Sequence, residues 1–527
     1  MSGNINNNVG KGVLSGVFAM GVATILVKVL SVLYKIPMLN ILGEEGMGYF
    51  NTAYTIYSFF YIVCTAGVPK AIMILLSGAR ERGEHREYES ILKSAFRLFF
   101  LIGFLLFIIF MLFAGVIAKS IGSPNSVFSM MVIAPSLIIV SVTGVLRGYL
   151  SSIGRLGSIS VSQILEGIFK LSLGLLLSHY SLELGLSIPM CGAVAILGVD
   201  LGALVAMLYM FIVYKKENKD YNIGQKLLLA DFRRCSKSIF SISIPITVTS
   251  AVMSASSIID LFMIMSRLSS IGYSEQTCAT LYGNYTTLAV PMFNLCISLI
   301  TPLSIAYLPK LTSHFVRGCE GGFSKTASSF SDLTMLLASF FYAVVCFLPK
   351  QSLYFIFGDN GHILGGELLS SLAISVITYS LLIVVNTTLE ARGRVRIPLL
   401  SMLAGSIIKI PVEYYLLSRP EINLFGAVYS TNVTYIIALI ISSVFALKYG
   451  AVRASDPLRA GGFFGAAVLA GITTLSIYSR LGMSVENRLH TVIAISILLV
   501  FYLISSTFII LFEYLFGKNW QIAQKNA

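Results

Sequence analysis

Along this chain, apolar runs of about twenty residues alternate with short polar connections. That is the length a helix needs to cross a bilayer's hydrocarbon core at a rise of about 1.5 Å per residue. Fourteen such runs can be read: 12–36, 48–77, 92–117, 127–149, 158–180, 188–214, 238–266, 281–309, 330–348, 364–390, 397–418, 425–448, 462–480 and 488–513. No segment shows the ten-residue apolar/polar alternation of a membrane β-barrel. The pattern predicts an all-α integral membrane protein with about 14 transmembrane helices. The connections leave no room for a soluble catalytic domain.

Composition agrees with the pattern. Of 527 residues, 56% are hydrophobic and 12% charged, against about 25% charged in soluble domains. Soluble enzymes, nucleic-acid binders and secreted disulfide scaffolds are excluded. The net charge of +13 fits the positive-inside rule better than a nucleic-acid partner. With the N-terminus inside, the inner connections hold 25 Lys and Arg and the outer ones 7. The expectation is a multi-pass protein of the cytoplasmic membrane with both termini cytoplasmic, a monomer among membrane lipids. Seven cysteines form no CxxC and no Cys/His cluster, so neither a metal site nor a cofactor is expected. Met1 to Lys11 is polar and lacks the basic region of a signal peptide.

The longest and most charged inner connection, 215–237, reads as a linker. It divides 1–214 (helices one to six) from 238–448 (helices seven to twelve), with two further helices and a tail in 449–527. A faint repeat supports the division. Gly154-Arg155 recurs as Gly393-Arg394, and Lys170 recurs as Lys409, both at an offset of 239. Six helices is an even number, so the two halves would run parallel about an axis along the membrane normal.

Ionisable residues inside spans are the candidates for function. Lys28 lies deep in the first run, where it either snorkels to the outer interface or faces a cavity. Lys70 follows Gly67-Val68-Pro69, a kink that either lines a cavity or turns the lysine to the inner headgroups. Glu166 and Lys170, and again Lys409 and Glu413, stand four residues apart on one helix face. They are either neutralised pairs or, through the two lysines, a clamp for an anion. Asp260 has no opposite charge one turn away. With Asp200, Asn432 and Glu413 it is a candidate for Na⁺ or H⁺ coupling. The run Arg80, Arg82, Arg86 with Glu81, Glu84, Glu87 and Glu89 reads as a solvated inner loop. No nucleotide-binding or nucleophile motif occurs, and the five histidines form no group. An enzyme is not expected.

Four stretches carry a resemblance: Val27-Lys28-Val29-Leu30-Ser31, Tyr34-Lys35-Ile36-Pro37, Leu42-Gly43-Glu44-Glu45-Gly46-Met47-Gly48 and Thr65-Ala66-Gly67-Val68-Pro69-Lys70. Together with Gly154-Arg155, Gln163 and Glu166 they resemble the SpoVB-type polysaccharide transporters. That branch belongs to the multidrug/oligosaccharidyl-lipid/polysaccharide (MOP) exporter superfamily, beside MurJ, Wzx and MATE proteins. The resemblance implies two six-helix lobes, alternating access, and an undecaprenyl-pyrophosphate-linked glycan as substrate. It aligns Lys28 with a basic recognition position. Tyr34, with Lys35 one residue on, and Tyr61 align with two further basic positions. It also aligns Asp260 and the Lys409/Glu413 pair with an ion site. Two functions follow as expectations: a flippase for an anionic lipid-linked glycan such as lipid II or a related cell-wall or spore-cortex precursor, or a cation-coupled multidrug antiporter. The first rests on lysines able to hold a diphosphate, the second on acids and aromatics able to hold an organic cation.

Overall fold

In the computed structural model the backbone is described for residues 3–218, 228–451 and 457–526, and the side chains for 30, 34–218, 228–451 and 461–508 apart from 249, 252 and 253. Among the described residues there are helices and no strands. Twelve helical stretches among these residues are long and apolar enough to span a membrane. They match twelve of the fourteen predicted runs. The other two, 12–36 and 238–266, lie in helix but include positions whose side chains are not described. The protein is a multi-pass membrane protein.

Contacts divide the chain into two compact units, residues 1–269 with 273–283, and 270–272 with 284–527. The first unit holds α1 (Gly3–Thr65), α2 (Val68–Glu81), α3 (His85–Ile121), α4 (Val127–Ile133), α5 (Ser136–Ser152), α6 (Leu156–Glu183), α7 (Ile188–Glu217), and all but the last residue of α8 (Leu229–Ser270) and of α9 (Glu275–Asn284). The second holds α10 (Val290–Val316), α11 (Glu320–Phe347), α12 (Pro349–Phe357), α13 (His362–Ser371), α14 (Ala373–Ala391), α15 (Arg396–Leu417), α16 (Phe425–Lys448), α17 (Pro457–Arg480) and α18 (Arg488–Asn526).

The predicted breaks are in place. Gly43, at φ 67°, interrupts α1 between the predicted runs 12–36 and 48–77. This left-handed conformation favours glycine. The chain breaks again between Thr65 and Val68, with Pro69 in the first turn of α2. A Cβ on Gly67 would sit 2.2 Å from the Ser243 carbonyl oxygen, so α8 crosses tightly at this break. The core of the first unit gathers Ile72, Leu76, Phe99, Leu146, Tyr149 and Ile239 from α2, α3, α5 and α8. In the second unit Leu348, Ala467, Leu498 and Tyr502 seat α17 and α18 on α11. The basic run at the end of α2 and the start of α3 is largely paired, with Arg82 on Glu84 and Glu87 at 3.2 and 3.0 Å and Arg86 on Asp231 at 3.8 Å.

The repeat has a geometric counterpart. Gly154 and Gly393 both close their helices at positive φ, 76° and 75°. The Arg155 amide donates to the Leu150 carbonyl and the Arg394 amide to Leu389, each at 2.9 Å. One turn into the next helix, Ser162 and Ser401 are both fully buried and donate to Ile159 and Pro398. All these pairs keep the 239-residue offset.

Candidate functional site

In the first unit the site is built on α1 beyond Gly43. Phe50, Tyr54, Tyr57 and Tyr61 follow spacings of four, three and four, which puts them on one helix face. Successive ring centroids are 5.8, 5.9 and 6.0 Å apart. Tyr34 joins the row 6.1 Å from Phe50. Lys170 comes in from α6. Its Nζ lies 4.5 Å from the Tyr54 ring centroid and 5.3 Å from that of Tyr34, and it donates to the Tyr54 hydroxyl at 3.3 Å. Ring faces carry negative charge, so this position holds an ammonium without a carboxylate. Lys35 stands within electrostatic reach of Lys170.

One turn before Lys170, Glu166 faces elsewhere than its i,i+4 spacing suggested. Its Oε2 accepts from Arg147 Nη2 at 3.1 Å, and Arg147 Nη1 donates to the Tyr61 hydroxyl at 3.1 Å. Arg147 counted in the sequence as one of the inner basic residues. Its side chain is only 12% exposed. It belongs to the site and brings a guanidinium to the Tyr61 position that the resemblance marked as basic.

Small residues set these helices close enough for the contacts. On α7 a Cβ at Gly202 would lie 2.7 Å from the Glu166 carbonyl oxygen, and one at Gly198 would lie 2.4 Å from the Gly174 Cα. Gly198 and Gly202 form a GxxxG face that seats the backbone of α6 where it carries Glu166 and Lys170. On α5, Gly144 and Gly148 flank Arg147 with the same spacing. A Cβ at Gly148 would lie 2.9 Å from the Pro69 carbonyl oxygen of α2. The two GxxxG patterns are the sequence signal that could have pointed to Arg147 and to the placing of Lys170.

The remaining candidates are dispersed. Lys28 lies outside the residues whose side chains are described. Lys70 is exposed in the first turn of α2. Asp200, between the two α7 glycines, is buried and accepts a hydrogen bond from the Ser136 hydroxyl. Asp260 of α8 is within electrostatic reach of Tyr282, whose hydroxyl is 3.0 Å from Thr55 Oγ1. In the second unit Lys409 and Glu413 are 3% and 0% exposed. They extend the buried face that carries Ser401, which is bonded to Ser442 of α16 at 2.8 Å, and Gly405, packed on the Thr434 carbonyl. A ligand reaches Lys409 only if this face opens. Asn432 accepts from the Ser375 hydroxyl and donates to the Ser371 carbonyl at 2.8 Å, so both of its polar atoms join α16 to α13 and α14. Among the described residues no group of three or more His, Cys, Asp or Glu side chains could hold a metal ion.

The arrangement in the first unit is suited to an anion with hydroxyl-rich neighbours. A guanidinium fork and an ammonium can satisfy phosphate oxygens. Phenol rings and hydroxyls can cover and hydrogen-bond polar rings.

Comparison with known proteins fits this chemistry. The family described as "Polysaccharide biosynthesis protein" matches residues 13–315. Stage V sporulation protein B of Bacillus subtilis (strain 168) is 21% identical over 417 residues, covering 79% of each chain. The lipid II flippase MurJ of the same strain is 20% identical over 446 residues, covering 81% of each chain. A solved lipid II flippase MurJ in an inward closed conformation superposes with a TM-score of 0.71 at 16% identity, over 94% of this chain and 99% of that one. An inward-facing multidrug resistance MATE family transporter of the MOP superfamily superposes with a TM-score of 0.66 at 13% identity, over 80% and 94%. The fold is the MurJ/MATE-like fold expected from the resemblance.

Proposed function

From the premise that the chain belongs to the polysaccharide biosynthesis protein family of the MOP superfamily, we propose that it is a flippase. Its substrate in this reading is an anionic undecaprenyl-pyrophosphate-linked glycan, carried across the cytoplasmic membrane by alternating access. Lipid II or a related cell-wall, spore-cortex or polysaccharide precursor fits. The observation that carries the reading is Lys170 and Arg147 meeting one row of phenols on α1. A diphosphate leaving water needs charged donors, and these two residues supply them from two different helices. Glu166 holds Arg147 in place until the substrate competes for it.

The reading keeps Lys28, Lys70 and Lys409 as further headgroup contacts, Lys409 only in a state where its face of α15 opens. Asp200 and Asp260 are the positions for Na⁺ or H⁺ coupling. The antiporter alternative is disfavoured by one contact. The Tyr54 and Tyr34 ring faces, where an organic cation would stack, already carry the Lys170 ammonium.

The test is translocation of fluorescent lipid II in proteoliposomes, with Lys170→Ala and Arg147→Ala beside wild type. Wild type should translocate, and each variant should lose at least about tenfold, the scale of one charge-assisted hydrogen bond. Wild-type inactivity on lipid II together with gradient-driven export of a cationic dye would reject the reading in favour of the antiporter.

A further inference from the structure

The second unit holds a groove that plays no part in the site above. It has a volume of about 720 Å³ and lies between α10, α11 and α17. One wall is polar: Ser324, Lys325, Ser328, Ser329 and Asp332 of α11, with Tyr307 of α10. The other end is apolar, formed by Leu333 and Leu336 of α11 and Phe463 of α17.

The polarity is graded along the helix. The apolar run read from the sequence starts at residue 330. Ser324 to Ser329 therefore precede the hydrocarbon-spanning stretch, at the level of lipid head groups, and Leu333 and Leu336 lie inside it. Lys325 and Ser329 are one turn apart on the exposed line of the helix, with Ser324 and Ser328 beside them. Tyr307 is fixed by stacking on buried Phe330 at 4.9 Å, which sets its hydroxyl 3.3 Å from Ser329 Oγ. Lys310 adds a second positive charge, 5.6 Å from the Tyr307 ring centroid. Buried Phe463 closes the apolar end of the groove, which is otherwise open to its surroundings. Polar donors at head-group depth that run into an apolar slot match an amphiphile with a phosphate head and a chain.

We propose that this groove binds a phosphate-bearing lipid whose head group carries hydroxyls. Lys325 and the Ser324 and Ser328 hydroxyls take the phosphate. Leu333, Leu336 and Phe463 take the start of the chain. Asp332 accepts from a head-group hydroxyl, which a carboxylate can do beside its other contacts. The assignment is independent of which glycan the first unit handles.

The test uses the purified full-length protein, equal amounts of phosphatidylglycerol and phosphatidylcholine, and native mass spectrometry of the retained lipid. Wild type should retain phosphatidylglycerol in preference. Lys325→Ala should lower that retention roughly tenfold, the order of one charge-assisted hydrogen bond. Lys325→Arg should keep it, and Lys448→Ala, at the end of α16 and outside the groove, should leave it unchanged. If Lys325→Ala does not fold, Ser328→Val carries the same expectation of a loss. Equal retention of the two lipids, an unchanged Lys325→Ala, or an equal loss in Lys448→Ala overturns the proposal. Soluble glycerol phosphate is the remaining arm. If it displaces the lipid at millimolar concentration, the groove recognises a free phosphate ester and the lipid assignment fails.

Discussion

At the scale of residues, the central finding is which partner Glu166 has. The i,i+4 rule offered it Lys170, an interaction of a few tenths of a kcal/mol on an exposed helix. The structure gives it Arg147 of α5 at 3.1 Å, in a position where the guanidinium is 12% exposed. Removing one partner of such a half-buried pair costs about 1–3 kcal/mol, because the other charge is left without compensation. Glu166→Ala and Arg147→Ala should therefore each destabilise strongly, and the double variant should regain much of the loss. Glu166 and Lys170 should combine almost additively. Thermal unfolding in detergent of the single and double variants measures both couplings. A larger coupling of Glu166 to Lys170 than to Arg147 would return the pair to the helix surface. The sequence made Lys170 visible because a lysine mid-run is costly unless it has a function or a partner. It hid Arg147, which stands near the end of a run, where positive-inside bookkeeping absorbs any arginine. Only the packing of α5 against α1 and α6 separates the two cases.

At the scale of elements, helix breaks were legible and helix contacts were not. Gly67-Val68-Pro69 states its own break, since proline starts a helix well and continues one badly. The observed α2 begins at Val68 as that requires. Which face of α7 meets α6 cannot be read from hydropathy, because lipid-facing and helix-facing positions are both apolar. Glycine spacing carries that information instead, through Gly198 and Gly202. A side chain at Gly202 meets the Glu166 carbonyl and the Lys170 amide within 3.0 Å. Gly202→Leu should therefore push α6 away, move the Lys170 ammonium off the Tyr54 ring, and cost about 1–3 kcal/mol or more, as overpacked cores do. Gly157→Leu, at the start of the same α6, has open space around its Cβ position and should be near neutral. Unfolding temperature and translocation rate of the two variants check this. Equal behaviour would mean that α6 and α7 have slack the structure does not show.

At the scale of the whole molecule, the order of spans was read by parity. An error of one helix inverts every connection after it, so the Lys and Arg asymmetry of 25 against 7 tests all fourteen runs at once. The recurrence of the Gly154 and Gly393 turns, with the same φ and the same closing hydrogen bond, adds a second constraint. Turns repeated six helices apart lie on the same side only if the count between them is even. The chain carries its own probe for the absolute side. Cys319 is exposed in the connection between α10 and α11, next to Arg317, whereas Cys64, Cys191, Cys235, Cys278 and Cys296 are buried and Cys346 is half-buried. If the basic connections are cytoplasmic, a membrane-impermeant maleimide should label inside-out vesicles and leave right-side-out vesicles unlabelled. Cys319→Ser should abolish that labelling. Labelling of right-side-out vesicles at Cys319 would put an odd number of spans before α11 on the assumption of an inner N-terminus. The positive-inside assignment would then be wrong for every later connection, and Ser324–Ser329 would lie at the outer rather than the inner head groups.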